Sequence, residues 1–130
     1  MLFRSEVADR LFAPPGTKAY GAVSVLVRLA ARRTGLHAVS RSVFRPPPNV
    51  DSALVAFRRQ ALPPRYRQVK AVVEAAFAHR RKTLPNSLVL EGVTSREEAA
   101  AALRALGRPS TTRAEELEPE EFVALEEAIR

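Results

Sequence analysis

The stretch Val50-Asp51-Ser52-Ala53-Leu54-Val55-Ala56-Phe57 decides the fold. Its alternating positions are apolar on both sides: Val50, Leu54 and Ala56 on one face, Ala53, Val55 and Phe57 on the other. A strand of this kind calls for cover on both faces, as in an α/β sheet. Pro46-Pro47-Pro48-Asn49 precedes it and cannot be helix or central strand, because proline lacks the N–H and constrains its predecessor. His37 to Phe44 reads as a second strand, and Met1-Leu2-Phe3 as the stub of a third. Two good strands make a marginal sheet. The first sixty residues therefore read as the end of an α/β sheet whose beginning is absent from the chain.

Helices flank these strands. Ser5 can cap a short helix through Val7, Ala8, Leu11 and Phe12, stopped by Pro14-Pro15-Gly16. A longer helix is predicted at about 21–34, with Ala22, Val25, Leu26, Leu29 and Ala30 inward, Ser24, Arg28 and Arg32 outward, and Gly35 as its stop. After the linker Ala61-Leu62-Pro63-Pro64 the chain is helical only. Tyr66, Val69, Val73, Ala76 and Phe77 form one stripe of a helix at about 65–82, closed by His79-Arg80-Arg81-Lys82 and broken by Pro85-Asn86-Ser87. Overlapping capping boxes (Thr94 with Glu97, Ser95 with Glu98) start a helix at about 95–106 that Gly107 ends. Pro119 opens the last helix, with Phe122, Leu125 and Ile129 inward. Residues 1–60 thus form the sheet remnant, 61–64 the linker and 65–130 a helical domain.

Composition excludes several classes. The 130 residues contain no cysteine, so disulfides and thiolate metal sites are ruled out, and His37 and His79 share no ligand spacing. No apolar run approaches a membrane span and no secretory signal opens the chain, so the cytoplasm is the expected compartment. The five glycines are isolated, with no G-x-G and no phosphate-loop pattern, and no serine sits in a hydrolase elbow. The carboxylates read as solvated helix surface. No catalytic constellation is present.

Charge is informative. The net charge is +7. Residues 1–90 hold 16 basic and 4 acidic side chains, whereas residues 91–130 hold 5 basic and 10 acidic, so a segment of +12 precedes one of −5. A field of that size favours a polyanion partner. Three places could meet one. Phe44, held at the start of the proline loop, could stack on a base. Arg80, Arg81 and Lys82 could dock phosphates at a helix end. Arg28, Arg32, Arg33, Arg58 and Arg59 could extend the basic surface. Each has a plainer alternative: a core phenylalanine, an ordinary cationic helix terminus, scattered surface arginines.

Four motifs in order resemble one family. Phe44–Ser52 (FRPPPNVDS) fits F-x-P-x-P-x-V-x-S, and Pro15–Val25 (PGTKAYGAVSV) is similar to P-G-S-K-A-Y-G-x-L-S-V. FAHRRKTLPNSL at 77–88 resembles F-x-x-R-R-K-x-x-x-N-S-L, with Pro85 a departure, and Arg113-Ala114-Glu115-Glu116-Leu117 with Phe122 and Leu125 resembles the family's ending. The family is the small-subunit ribosomal RNA adenine dimethyltransferases, which dimethylate two adjacent adenines using S-adenosylmethionine. The resemblance implies an α/β plus α fold: the C-terminal part of a class I (Rossmann-like) methyltransferase sheet, then a small all-helical RNA-docking domain. It implies that Phe44 lies beside the target base and that Arg80, Arg81 and Lys82 touch ribosomal RNA, so the partner is small-subunit ribosomal RNA or the pre-30S particle. The family's Gly-rich cofactor loop and N-L-P-Y-type catalytic motif do not occur here; Tyr20 and Tyr66 have no Asn-x-Pro before them. The chain is therefore expected to be a fragment, with Met1 possible as an internal methionine. It is expected to bind neither S-adenosylmethionine nor metal, and to be inactive alone. A stand-alone, non-catalytic RNA- or ribosome-binding module is the alternative.

Overall fold

The computed structural model describes residues 2–43 and 51–130. The deciding stretch forms a strand at Ser52–Arg59, which pairs antiparallel with Leu2–Arg4 on one side and Ala31–Val39 on the other. In chain order these are β1 (Leu2–Arg4), β2 (Ala31–Val39) and β3 (Ser52–Arg59), and the sheet order is β1-β3-β2. Since both neighbours oppose β3, β1 and β2 run in the same direction. Two helices, α1 (Ser5–Leu11) and α2 (Ala22–Ala30), cross over between them.

Among the described residues, one sheet face is covered. Ala53 and Val55 pack with Ala8 of α1, and with Phe3 and Phe12, in a small core. On the other face Leu54 stays 46% exposed, next to Leu2 and His37 in register. The expectation of cover on both faces is thus met on one; no described element lies over Leu54. Phe44 and residues 45–50, where the proline loop falls, lie outside the described residues.

The predicted helix at 21–34 is corrected. It ends at Ala30, and Ala31 is already extended (φ −154°, ψ 158°). Residues 31–34 could have continued the helix, but β3 runs to Arg59 and offers them ladder partners, Ala31 opposite Arg59 and Arg32 opposite Arg58. Gly35 is no helix stop: it lies opposite Ala56, just past a register shift after Arg33. Ser24 is buried rather than outward. Its hydroxyl accepts from the Gly21 N–H (3.1 Å) and donates to the Arg10 carbonyl, tying the start of α2 to the end of α1.

Four helices follow: α3 (Tyr66–Phe77), α4 (Leu84–Leu90), α5 (Arg96–Ala105) and α6 (Pro119–Ile129). Helix α3 stops short of the predicted 82, so His79–Lys82 occupy the turn beyond it. Pro85 does not merely break a helix; it sits in the first turn of α4, where its missing N–H costs nothing. Gly92 (φ +72°) ends α4 as Gly107 (φ +77°) ends α5, each in the left-handed conformation that lets the next N–H reach back into the helix: Val93 to Leu88 and Arg108 to Leu103. The Ser95 hydroxyl caps α5 by accepting from the Glu98 N–H, as expected, whereas Thr94 bonds the Glu98 carboxylate.

These helices share one core with α2. Val25 and Leu29 pack with Val69, Val73, Leu84, Leu88, Leu103, Phe122 and Leu125, all buried. A fully buried side chain of this size contributes about 1.5–3 kcal/mol. Phe77 stacks edge-on against Tyr20 (5.9 Å) and lies against Phe122 (5.8 Å). Tyr20 is fully buried, and its phenol donates to the Leu117 carbonyl (2.6 Å). Burial pushes that phenol up in pKa, partly offset by Arg28, so it remains a donor at any physiological pH.

Ion pairs lock the outer helices. Arg108 forks onto Glu121 (2.9 and 2.8 Å), and this bond holds the Glu121 carboxyl below its ordinary 4.5. Burial alone would raise Glu126, but hydrogen bonds from Arg65 and Arg130 outweigh it and lower that carboxyl too. Arg65 takes a left-handed backbone (φ 59°) before α3 while its guanidinium reaches Glu126 (3.1 Å).

Two outcomes follow. Tyr20→Phe leaves the Leu117 carbonyl buried without its donor and lowers unfolding free energy by about 1–3 kcal/mol in urea titration. Both carboxyls are depressed in the folded state, so their stabilisation is present above their unfolded values near 4.5 and is lost as pH falls through the folded ones. The melting temperature therefore drops in acid below that range, and Arg108→Ala shows a smaller acid-dependent drop.

Candidate nucleic-acid interface

The predicted docking triplet divides by role. Arg80 is engaged: its Nη2 donates to the Tyr20 carbonyl (2.7 Å) and to the Lys18 carbonyl (3.5 Å), and it pairs with Glu115 (3.7 Å). It joins the end of α3 both to the loop before α2 and to the 3₁₀ turn Ala114–Glu116. The Gly16 N–H, donating to the Glu115 carbonyl at 2.7 Å, makes a second tie between that loop and the turn. Arg80 is thus a brace. Arg81 and Lys82 are exposed, and their side chains have no hydrogen-bond or ion-pair partner among the described residues.

An open groove of about 830 Å³ runs beside this brace. Its lining includes Lys18, Arg80, Arg81, Arg113 and Glu115, and from α1 Glu6, Asp9 and Arg10. The helix end, the loop before α2 and the 3₁₀ turn therefore bring together cations far apart in sequence. Lys18 and Arg113 were not singled out from the sequence, and no local spacing links them to Arg81. The Tyr20, Gly16 and Arg80 ties bring their segments to one groove.

The third sequence candidate is split. Arg32 and Arg58 face each other directly on neighbouring strands, on the same side as Leu54. Like charges so placed repel, which leaves them available to an anion. Arg28 is instead engaged, by the Ala13 carbonyl (3.4 Å) and Glu118 (3.5 Å). Arg59 lines an apolar cavity of about 570 Å³ with Phe3, Phe12, Val27 and Phe57.

That cavity does not fit S-adenosylmethionine. The cofactor carries a cationic sulfonium, an amino-acid head and a ribose, which call for carboxylates and closely approaching backbone. The only polar side chains in the lining are Arg59 and Gln60, and the Gln60 amide is engaged by the Arg28 carbonyl (2.7 Å). Among the described residues no His, Asp and Glu cluster could hold a metal ion, and no helix is long and apolar enough to cross a membrane.

The brace and the free cations are separable by mutation. Arg80→Ala lowers the melting temperature by several degrees, whereas Arg81→Ala leaves it within a degree or so; differential scanning calorimetry on both variants checks this.

Comparisons with known proteins agree with the motifs. The family model "Ribosomal RNA adenine dimethylase" matches residues 1–130. A protein of Rubrobacter xylanophilus called ribosomal RNA small subunit methyltransferase A is 52% identical over 92% of this chain and 45% of its own length. One of the same name from Thermosynechococcus vestitus is 40% identical over 100% and 49%. The chain spans about half the length of these relatives. Among solved structures, a dimethyladenosine transferase from Plasmodium falciparum superposes with a TM-score of 0.76 at 22% identity, over 95% of this chain and 54% of that one, a likeness of fold.

Proposed function

Because the chain belongs to the ribosomal RNA adenine dimethylase family, we propose that it is the C-terminal part of an S-adenosylmethionine-dependent enzyme that dimethylates N6 of two adjacent adenines in small-subunit ribosomal RNA. The match over residues 1–130 carries this reading. The sheet supports it: β1 and β2 parallel with β3 inserted antiparallel between them fits the end of a Rossmann-like methyltransferase sheet, and residues 65–130 fit a helical RNA-docking domain. Methyl transfer belongs to the longer protein. The apolar cavity beside Arg59 does not suit the cofactor, which supports placing its site in the rest of the longer protein.

This chain's share is RNA docking. A base must leave its stack before its exocyclic amine can be modified, and an aromatic ring beside it offsets the stacking lost. We assign Phe44 that role. Contacts to phosphates fix the register of the RNA without reading its sequence. Arg81 and Lys82 are exposed and unengaged, which suits them to this; Arg80 keeps them in place. The partner is small-subunit ribosomal RNA, free or in a pre-30S particle.

The test is binding to small-subunit particles across a salt series. Arg81→Ala with Lys82→Ala weakens binding and flattens the dependence of log affinity on log salt by about 0.9 per lost duplex phosphate contact. An unchanged slope removes the docking role. Titration calorimetry with S-adenosylmethionine shows no binding by residues 1–130; micromolar binding contradicts the assignment of the cofactor site to the rest of the enzyme.

A further inference from the structure

We propose that the cavity between α1, α2 and the end of β3 binds a free fatty acid, with the alkyl chain inside and the carboxylate held by Arg33 and Arg59. It shares no lining residue with the groove beside Arg80, and it does not depend on the RNA-docking reading.

The sheet face that packs on α1 changes character along β3. Its successive positions are Ala53, Val55, Phe57 and Arg59. Ala53 and Val55 are buried with Ala8, but Phe57 stays 40% exposed. Beside it opens the cavity of about 570 Å³, a volume within the range of small-molecule sites. Phe3, Phe12, Val27, Phe57 and Leu62 line it with side chains that carry no polar atom. At its rim the Gln60 N–H donates to the Ala30 carbonyl (3.0 Å) and the Gln60 amide to the Arg28 carbonyl (2.7 Å), which ties the end of α2 to the end of β3. A second pocket of about 410 Å³ adjoins and shares Phe12, Ala31 and Gln60. Arg28, Arg32 and Arg33 line it against one carboxylate, Glu120, and Arg28 is engaged by Glu118. Register sets Arg33 opposite Phe57 and Ala31 opposite Arg59, so Arg33 and Arg59 are diagonal neighbours on the covered face. Such neighbours stand about 7–8 Å apart, near enough for two long guanidinium stems to meet one carboxylate. Neither side chain has a hydrogen-bond or ion-pair partner among the described residues. Two unpaired guanidinium groups at the mouth of an apolar chamber suit an anionic head on an apolar tail. A cationic amphiphile would meet like charge there, and a nucleoside would leave most of its polar atoms unbonded inside.

The experiment titrates the 130-residue chain calorimetrically with octanoate, decanoate and dodecanoate, each below its micelle concentration. Affinity is expected to rise about fourfold per added methylene. Decanoate is expected to raise the melting temperature, as a ligand of the folded state does. Arg33→Gln with Arg59→Gln is expected to weaken decanoate binding about tenfold or more, leaving decanol binding and the melting temperature of the free chain unchanged. Ala30→Leu, which fills part of the cavity, is expected to weaken both ligands. If decyltrimethylammonium binds as tightly as decanoate, or the arginine pair changes nothing, the carboxylate assignment falls. A flat dependence on chain length takes the alkyl chain out of the cavity and overturns the site. A melting temperature that falls with decanoate shows surfactant unfolding instead of binding and overturns it too. Association with phosphatidylglycerol vesicles, with no heat from the free acids, shows a membrane contact in place of a fatty-acid site.

Discussion

The hydrogen bond from the buried Tyr20 phenol to the Leu117 carbonyl organises this molecule. It joins residues 97 apart in sequence and fastens the loop before α2 to the turn before α6. Around it, Phe77 packs edge-on, Gly16 ties the same loop to Glu115, and Arg80 closes the arrangement from the end of α3. A phenol in that position has no water to replace its acceptor, so the bond and the packing stand or fall together. Through it α2, which leads directly into the sheet, becomes part of the helical core.

The charge split along the sequence acquires a structural meaning. The acidic final third is no uniform solvated face. Glu115, Glu118, Glu121 and Glu126 each pair with an arginine, and Glu126 is only 4% exposed. Those pairs engage Arg28, Arg65, Arg80 and Arg108 and hold the fold's outer elements in register. Lys18, Arg81, Lys82 and Arg113 are among the cations left over. A surplus of cations in the sequence thus becomes a specific subset of free ones, sorted by which carboxylates the fold brings near. Exposed pairs of this kind contribute little individually; their larger consequence is deciding which guanidinium groups are spoken for.

Much of this was legible in the sequence, and the gaps have physical causes. Strand β3, the stub at β1, α6 with Pro119 at its start, and the Ser95 cap follow local rules that nothing tertiary overrode. The end of α2 did not, because Ala31–Thr34 have acceptable helix propensity and only the presence of Phe57–Arg59 beside them makes a strand the better choice. Helix α4 carried its own signal, proline in its first turn and Gly92 just beyond its end, but its seven residues are too few for periodicity to announce. The groove was illegible for a different reason. The Arg80 run was visible as a cluster, yet nothing local distinguishes a brace from a free cation, or places Lys18 and Arg113 alongside it.

The sheet order has a consequence for how the chain reaches this structure. Of the three described strands, the last in chain order lies in the middle. Among the described residues, β1 and β2 each pair with β3 and not with each other. Leu2 must wait for Leu54, and Ala31 for Arg59. These are distant closures, and their entropy must be met before any ladder bond repays it. Zippering outward from a local hairpin cannot build the whole sheet. The chain lays down α1 and α2 between β1 and the strand that pairs with it, which makes the crossover helices a waiting scaffold for this pairing during translation as well as a cover afterwards.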